Sequence, residues 1–241
     1  PGPCAHGALV RHMRHLHTQV SAHFYQRPLT CITRPPAPTR GSGPPARYDG
    51  SHWHAWRTAM EVNITFLGGA STVTGSKYLV RHNGHSMLVD CGLFQGYKQL
   101  RQRNWHPLPL TPHQIDAVVL SHAHLDHSGY LPLLARDGYT KAIHATTGTR
   151  DLCAILLPDS GHLQEEDAAF LNRHQLSQHA PALPLYTRLD AQHCMKQFRT
   201  HAFHKAFEPI PGWRVTFTPA GHILGAANVL LEVGGRRILF S

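Results

Sequence analysis

The stretch SHAHLDHSGY, residues 121–130, decides how this chain is interpreted. It places His122, His124, Asp126 and His127 directly after DAVVLS, an apolar run typical of a buried strand. Residues i and i+2 of an extended segment point the same way, so the first two imidazoles could face one cation. The aspartate and the third histidine, in the turn that follows, could face a second. Imidazole and carboxylate ligands at this density, with no thiolate nearby, predict a zinc site.

The segments around this stretch predict a layered α/β protein. Strands are predicted for VNITFL, for SKYLVRHNGHSMLVD as a hairpin turning at Asn83-Gly84, and for KAIHA. Helices are predicted for SGYLPLLARDG, for TTGTRDLCAILL with Thr146 or Thr147 as its cap, for HLQEEDAAFLNRHQL, and over 191–201. WRVTFTPA, NVLLEV and RRILFS return to strands. Strands, then helices, then strands imply sheet on both sides of a helical section.

The charge excess lies mainly in the first part of the chain. The 241 residues carry a net charge of +9, and residues 1–59 hold seven arginines, no lysine and the single acid Asp49. These residues are rich in proline and poor in apolar periodicity, unlike a folded domain. They could be a disordered tail, a transit-type targeting peptide, or a mis-called region upstream of a true start at Met60. We favour the last interpretation, with the domain proper spanning 60–241.

Cysteine usage and hydropathy limit the compartment. Five cysteines at wide spacing, with no C-x-x-C, argue against a disulfide framework and for a reducing compartment. No apolar run approaches the roughly 18–20 residues that cross a bilayer. We therefore expect a cytoplasmic protein that does not engage a membrane.

The motifs resemble a known family at this point. His122-Ala-His124-Leu-Asp126-His127 is similar to the signature of the metallo-β-lactamase superfamily of dinuclear zinc hydrolases. LVDCG matches its first acidic motif, and PAGHILGAANVLLEVGGRRILFS its third metal motif. The Gly-His-x-Leu-Gly-Ala setting and ATTGTRDLCAILLPDSGHLQEEDA resemble the β-CASP nucleases of RNA processing in particular. The resemblance covers nearly all of 60–241.

The resemblance implies an αββα sandwich and a set of site residues. His122, His124 and His222 would hold one zinc ion, and Asp126 and His127 the other, with two ions in a complete site. Asp126 would also orient the attacking hydroxide, which makes it, with the ligand His124, the expected catalytic pair. Asp90 would brace the metal loop without binding metal.

Several of these residues also have a purely structural interpretation. From the residues alone, Asp90 could be a turn residue and His222 a solvated loop histidine. The flanking glycines, Gly221 and Gly225, allow close backbone approach and favour a site at His222. His162 is expected to be a helix-side or pocket residue, and His144 a strand-end residue without a metal role.

The function implied is zinc-dependent cleavage of RNA phosphodiesters by a metal-bound hydroxide. Two alternatives remain open: a small-molecule hydrolase of the thioesterase or lactamase type, and an inactive remnant that acts as a binding protein. RNA is the expected partner and homo-oligomers are possible, whereas endo- or exonuclease action is left open. The family pattern continues beyond Ser241 with a bridging aspartate and the β-CASP insertion. We therefore expect the N-terminal portion of a longer enzyme, with weak zinc binding and little activity alone.

Overall fold

The computed structural model describes residues 29–30, 61–177 and 179–241 of the chain. A seven-stranded sheet has its strands in sequence order, β1 to β7. The first four strands pair antiparallel, and β4 to β7 pair parallel. The strands are β1 Leu29–Thr30, β2 Asn63–Gly68, β3 Lys77–His82, β4 His85–Val89, β5 Ala117–Val119, β6 Ile143–Ala145 and β7 Phe198–Thr200.

A second, four-stranded antiparallel sheet is built from the last part of the chain. Its order is β11-β10-β9-β8, so each strand pairs with its neighbour in sequence. The strand β10 alternates buried and half-buried residues along its whole length, the pattern of a strand with one face on a core. The strands are β8 Ala206–Ile210, β9 Trp213–Pro219, β10 Ala227–Val233 and β11 Arg236–Phe240.

Among the described residues between β4 and β7, there are five α-helices and two 3₁₀ turns. The longest helix, α4, begins after Thr146, whose side-chain oxygen accepts a hydrogen bond from the backbone N–H of Thr149. The helices are α1 Lys98–Gln102, α2 Leu125–Ser128, α3 Leu131–Arg136, α4 Thr147–Arg173 and α5 Arg188–Met195. The 3₁₀ turns are Arg103–Trp105 and Pro112–Gln114.

Two apolar cores follow from the alternation of side chains along the central strands. On β5, Val118 points into a core shared with the helices, whereas Ala117 and Val119 point into a core shared with the second sheet. Neighbouring β4 repeats this division with Leu88 on the helix side and Met87 on the sheet side. The described residues thus form a helix, sheet, sheet stack, which agrees with three of the four layers of the predicted sandwich.

The predicted hairpin and the predicted cap are confirmed. Asn83 and Gly84 both have positive φ, +48° and +77°, and join β3 to β4. Paired positive φ values are the reason that Asn-Gly is favoured in such a turn. Of the two threonines considered, Thr146 is the cap of α4.

The prediction of two helices on either side of Pro158 was wrong, because α4 runs through this proline. A proline within a helix removes the hydrogen bond to the carbonyl four residues earlier. That carbonyl belongs to Ala154, which is exposed, so water can satisfy it. Beyond the proline, Gly161 lies so close to the backbone of Thr187 and Arg188 that an added Cβ would approach within 2.7 Å. Packing of α4 against the start of α5 therefore supports one continuous helix.

The helix predicted over 191–201 was also wrong in its bounds. The helix α5 ends at Met195, and Phe198–Thr200 forms strand β7 beside β6. This strand is only three residues long, so it carries too few residues for an alternating pattern to be visible in the sequence. The interpretation of residues 1–59 as a leader lies outside the described residues, apart from the strand Leu29–Thr30.

No helix in the described part of the chain is long and apolar enough to cross a bilayer.

Candidate metal centre

The candidate centre lies where β5 ends and the chain turns into α2. Leu120 donates its backbone N–H to His144 on β6, and Ser121 accepts a hydrogen bond from the backbone N–H of Ala227 on β10. The segment carrying His122 and His124 is thereby held between the two sheets. Because parallel strands end together at one edge, this is the position at which α/β proteins commonly place ligands.

Three imidazoles converge at this edge. His122, His124 and His222 each offer a ring nitrogen, and these atoms lie within 4.8 Å of one another. The ring centroids are 4.9–5.0 Å apart and the ring planes stand at 75–85° to each other. The Nε2 atom of His222 is 3.1 Å from the Nδ1 atom of His124. Nearly perpendicular rings with converging nitrogens are an arrangement that can hold a single cation.

His127 stands beside this trio and is oriented by a buried carboxylate. Its ring centroid is 4.0 Å from that of His122. Its Nδ1 atom lies 2.7 Å from Oδ2 of Asp90. A carboxylate acceptor fixes the proton on Nδ1 and leaves Nε2 with its lone pair. That Nε2 atom is 3.9 Å from Oδ2 of Asp126, so the second predicted pair of ligands also lies together.

Asp90 is held more firmly than any other acid at the site. It is 3% exposed, and its carboxylate accepts hydrogen bonds from the backbone N–H of Ser121 at 2.7 Å and the Ser121 hydroxyl at 2.8 Å. Its φ is +59°, a region that costs a non-glycine residue conformational energy. The carboxylate contacts His127 and Ser121, which agrees with the expected bracing position; its role remains a prediction.

The chain after β4 packs directly against α2. An added Cβ on Gly92 would lie 1.6 Å from the carbonyl oxygen of Asp126, so only glycine fits. The backbone N–H of Cys91 donates to the carbonyl of His127 at 2.7 Å, and Ser76 donates to that of Asp126 at 2.8 Å. These bonds fix the backbone of both residues that would hold the second ion.

The loop that carries His222 is anchored by residues that the sequence did not single out as part of the site. The hydroxyls of Thr146 and Thr149 both donate to the carbonyl of Gly225, at 2.6 and 2.9 Å. A Cβ on Gly225 would meet the backbone nitrogen of Thr149 at 2.2 Å, so the expected close approach is confirmed there. Gly221 has nothing near its Cβ position; its φ of +69° explains the glycine instead.

The pKa values of His122 and His127 shift in opposite directions, because only His127 has the Asp90 carboxylate as a partner. Burial, followed by the nearby charge of His127, lowers the pKa of His122 to about 4. A neutral imidazole at pH 7 is the form that binds a metal. Burial also opposes protonation of His127, but the hydrogen bond and charge of Asp90 outweigh it and raise the pKa of His127 above its usual range.

Lys77 is a buried cation that sequence reasoning missed. It is 2% exposed, and its ammonium donates a hydrogen bond to the carbonyl of Gly92. The ammonium also lies 4.7 Å from the ring centroid of Phe94 and 4.5 Å from that of Tyr130. Burial lowers the pKa of Lys77 to about 8. A lysine at the start of a strand gives no signal of burial in the sequence.

The two histidines set aside in the sequence lie apart from the trio. His144, on β6, faces His201 at 2.8 Å between ring nitrogens. His162 is exposed on α4 and lines a cavity of about 310 Å³ with Pro158, Asp159 and Arg188.

Known proteins resemble this chain over up to 75% of its length. Residues 72–182 match the model of the metallo-beta-lactamase superfamily. Ribonuclease TTHA0252 of Thermus thermophilus is 32% identical over 180 residues, which are 75% of this chain and 37% of that protein. Transcription termination factor FttA of Methanocaldococcus jannaschii is 29% identical over 173 residues, 72% of this chain and 25% of that protein. Integrator complex subunit 11 of Danio rerio is 28% identical over 190 residues, 75% of this chain and 29% of that protein.

The chain spans 25–37% of the length of these curated relatives. Among solved structures, a metallo-beta-lactamase of Cronobacter sakazakii with a HARLDQ motif aligns with a TM-score of 0.46 and 18% identity. The alignment covers 75% of this chain and 58% of that one.

Proposed function

The chain carries a metallo-β-lactamase domain related to β-CASP nucleases, and from that premise we propose that it is the zinc-binding part of an enzyme that hydrolyses RNA phosphodiesters. The observation that carries the proposal is the convergence of His122, His124 and His222, whose ring nitrogens lie within 4.8 Å of one another. Three imidazoles that converge on one point at an open edge are the arrangement of a metal site and not of a packed core.

The donor set fits zinc. His122, His124 and His222 would hold one ion, and Asp126 with the free Nε2 of His127 would hold the second. The ligands are imidazole and carboxylate. Cys91, whose backbone N–H bonds to the carbonyl of His127, is buried, and burial raises the pKa of its thiol to about 12, which keeps it protonated. When bound, two zinc ions would supply Lewis-acid chemistry, which would polarise the phosphate and lower the pKa of a water molecule so that hydroxide is available at neutral pH.

The side chains of the chain itself divide the remaining work. The Asp126 carboxylate can orient the attacking water and accept its proton, with His124 holding the adjacent ion. Asp90 accepts a hydrogen bond from the Nδ1–H group of His127, which leaves the lone pair of Nε2 available for a metal ion. Close packing of Gly92 and a hydrogen bond from Ser76 fix the backbone of Asp126, which positions the base of its side chain before substrate arrives.

The names of the relatives support RNA as the substrate. They include a ribonuclease from Thermus thermophilus and the endoribonuclease YSH1 of Gibberella zeae, which is 27% identical over 182 residues. A metal centre and a fold do not by themselves select a substrate. Three buried free thiols, Cys91, Cys153 and Cys194, support a reducing, cytoplasmic location, and homo-oligomerisation stays a prediction.

Cleavage assays on the native gene product test this function. Labelled single-stranded RNA is incubated with the protein and Zn²⁺, with a chelator, and with the Asp126→Asn variant. We expect cleavage only with metal and a loss of at least about 100-fold in the variant, because a base and a ligand are removed together. A thioester and a β-lactam are assayed in parallel. Hydrolysis of the thioester or the β-lactam, without cleavage of RNA, would show that the substrate is a small molecule and not RNA.

A further inference from the structure

The segment from Gln95 to His106 leaves the metal centre directly. Its first residues follow Gly92, which packs on the Asp126 carbonyl, and Leu93, whose backbone N–H donates to Leu125 at 2.8 Å. The segment therefore begins beside the proposed position of the second ion. It continues through α1 and the 3₁₀ turn Arg103–Trp105.

Internal contacts hold this segment in place. The side-chain amide of Asn104 donates to the carbonyl of Phe94 and accepts from its backbone N–H, both at 2.8 Å. The backbone N–H of Gln95 donates to the hydroxyl of Thr74 at 2.9 Å, and Leu100 is buried. The loop thus presents its outward side chains from a fixed backbone.

Two aromatic rings project from this fixed backbone. Tyr97 is 69% exposed and Trp105 is 61% exposed, whereas Phe66 and Phe170, also exposed among the residues that the structure describes, are each 48% exposed. A large ring gains little folding free energy when most of its surface stays in water. Exposed rings on a rigid loop do, however, offer faces on which bases can stack.

The charge of the segment has one sign. Between Asp90 and Asp116 the chain contains Lys98, Arg101 and Arg103 and no acid. The first two are exposed, and the guanidinium of Arg103 lies 4.1 Å from the ring centroid of Phe94. Positive charge interleaved with exposed aromatic rings is the combination that single-stranded nucleic acids bind without sequence preference.

We propose that Tyr97, Lys98, Arg101 and Trp105 form a docking face for single-stranded RNA, on which bases stack while the cations contact phosphates. The proposal rests on the proposed function, since the RNA on this face would continue into the metal centre. It adds to that function the surface that holds the strand outside the reacting bond. A partner protein is a different occupant, and the one-signed charge and the proximity of the metal centre favour RNA over it.

The test is binding of a fluorescein-labelled single-stranded RNA of about 12 nucleotides in a metal chelator, so that cleavage does not interfere. The variant Tyr97→Ala/Trp105→Ala is compared with Phe170→Ala, which removes an exposed ring on α4. Phe170 lies 23 residues beyond the start of that helix. At a rise of roughly 1.5 Å per residue, this separation places Phe170 far from the metal centre. Lys98→Gln and Arg101→Gln are compared in the same way with Arg173→Gln, at the end of α4.

We expect the affinity to fall about 5- to 100-fold for each stacked ring that is removed and to stay within twofold for Phe170→Ala. Lys98→Gln and Arg101→Gln should each lower the slope of log affinity against log salt by about 0.7. Unchanged thermal unfolding of each variant would establish that these exposed substitutions leave the fold intact.

Three outcomes would overturn the docking face: no RNA binding by the unmodified protein at low salt, affinities unchanged in the double variant, or equal losses in the double variant and Phe170→Ala. The proposed function is judged separately. Metal-dependent cleavage with unchanged binding in the double variant would overturn the docking face alone. Lost binding in that variant, in a protein that never cleaves RNA, would overturn the proposed function and keep the docking face.

Discussion

Two groups of histidines lie at the same edge of the first sheet, and their surroundings differ. In the first, His122, His124 and His222 stand with their rings 75–85° apart and their nitrogens converging. In the second, His144 and His201 are tilted by only 33°, and the His201 ring lies flat on Phe207, 8° from parallel with centroids 3.5 Å apart. The first arrangement points nitrogens at one location, whereas the second packs rings face to face.

The difference teaches that burial of a histidine does not identify a ligand. Burial lowers the pKa of His122 and the pKa of His144 to the same value, about 4. What separates the groups is the number of ring nitrogens that converge. The first brings three of them within 4.8 Å of one another. In the second, the Nδ1 atom of His144 and the Nε2 atom of His201 face only each other, at 2.8 Å, and Phe207 stacks on the His201 ring. We therefore expect zinc to bind at the first group and not at the second.

The largest effect is expected when one imidazole of the trio is removed. His122→Ala should abolish measurable zinc binding, because it leaves two of three converging ligands. His144→Ala is the matched control and should keep zinc affinity within threefold. Calorimetric titration with Zn²⁺ at pH 7.5 measures both variants against the unmodified chain, in which binding itself is expected to be weak. Zinc binding that depended on His144 instead would reverse the contrast between the two groups.

A smaller loss of zinc affinity is expected from Asp90→Asn, which keeps the shape of the carboxylate and removes its charge. Oδ2 of Asp90 accepts from both the Ser121 hydroxyl and the Nδ1 atom of His127. An amide nitrogen at that position would donate instead, which favours the His127 tautomer with its proton on Nε2 and no lone pair for a metal. Losing such an orienting partner typically costs about 10–100-fold in metal affinity.

Titration with Zn²⁺ measures the affinity of Asp90→Asn, and a control variant is titrated in the same way. Asp116→Asn is the control, since this carboxylate faces Lys141 and His85 away from the trio. Equal zinc affinities in the two variants would contradict the orienting role of Asp90.

Sequence reasoning reached His122 and His124 of the first group because they are close to each other and to Asp126 and His127 in the chain. Four ligand-type side chains in six positions after an apolar strand are visible without a structure, and the strand and the hairpin before it follow from alternation. His222 was reached only through the resemblance, since nothing in its own segment specifies a partner 98 positions away. Of the two anchors, Thr146 was predicted only as a possible helix cap and Thr149 was not singled out, because their shared partner, Gly225, is a tertiary contact.

The second group and the buried Lys77 could not be derived from the sequence for a related reason. The partner of His144, His201, directly follows β7, a three-residue strand in a segment whose sequence predicted a helix. The burial of Lys77 depends on Phe94 and Tyr130 folding over it from two other segments. The periodicity of a sequence predicts one helix or strand at a time, so it does not predict contacts between short elements that are distant in the chain.

The second group is expected to affect the stability of the protein in acid and not its zinc binding. His144 has its pKa lowered from 6.5 to about 4 by burial, with His201 and Arg199 as the facing charges. Between these pH values the unfolded chain binds a proton that the folded chain does not, so stability is lost as pH falls from about 6.5 toward 4. Lowering the pH from 7 to 5 should therefore reduce the free energy of unfolding of both proteins. The reduction should be about 1–2 kcal/mol larger in the unmodified chain than in His144→Gln.

Urea unfolding at both pH values measures this difference. The control is His106→Gln, at an exposed histidine in the loop after α1. His144→Gln and the unmodified chain losing equal stability in acid would remove His144 as a source of acid lability.

The smallest effect concerns the ring on which the second group packs. Phe207→Leu keeps apolar volume but removes the stacked face against His201, and aromatic pairs contribute about 0.5–1.5 kcal/mol beyond the area that they bury. We expect the free energy of unfolding to fall by about 1 kcal/mol and zinc affinity to stay unchanged. Phe170→Leu, which removes a tilted contact with His174 on the exposed side of α4, should cost less. If Phe207→Leu weakened zinc binding, the two groups would be mechanically coupled through β5 and β6, and the packed pair would have to be counted as a support of the metal centre.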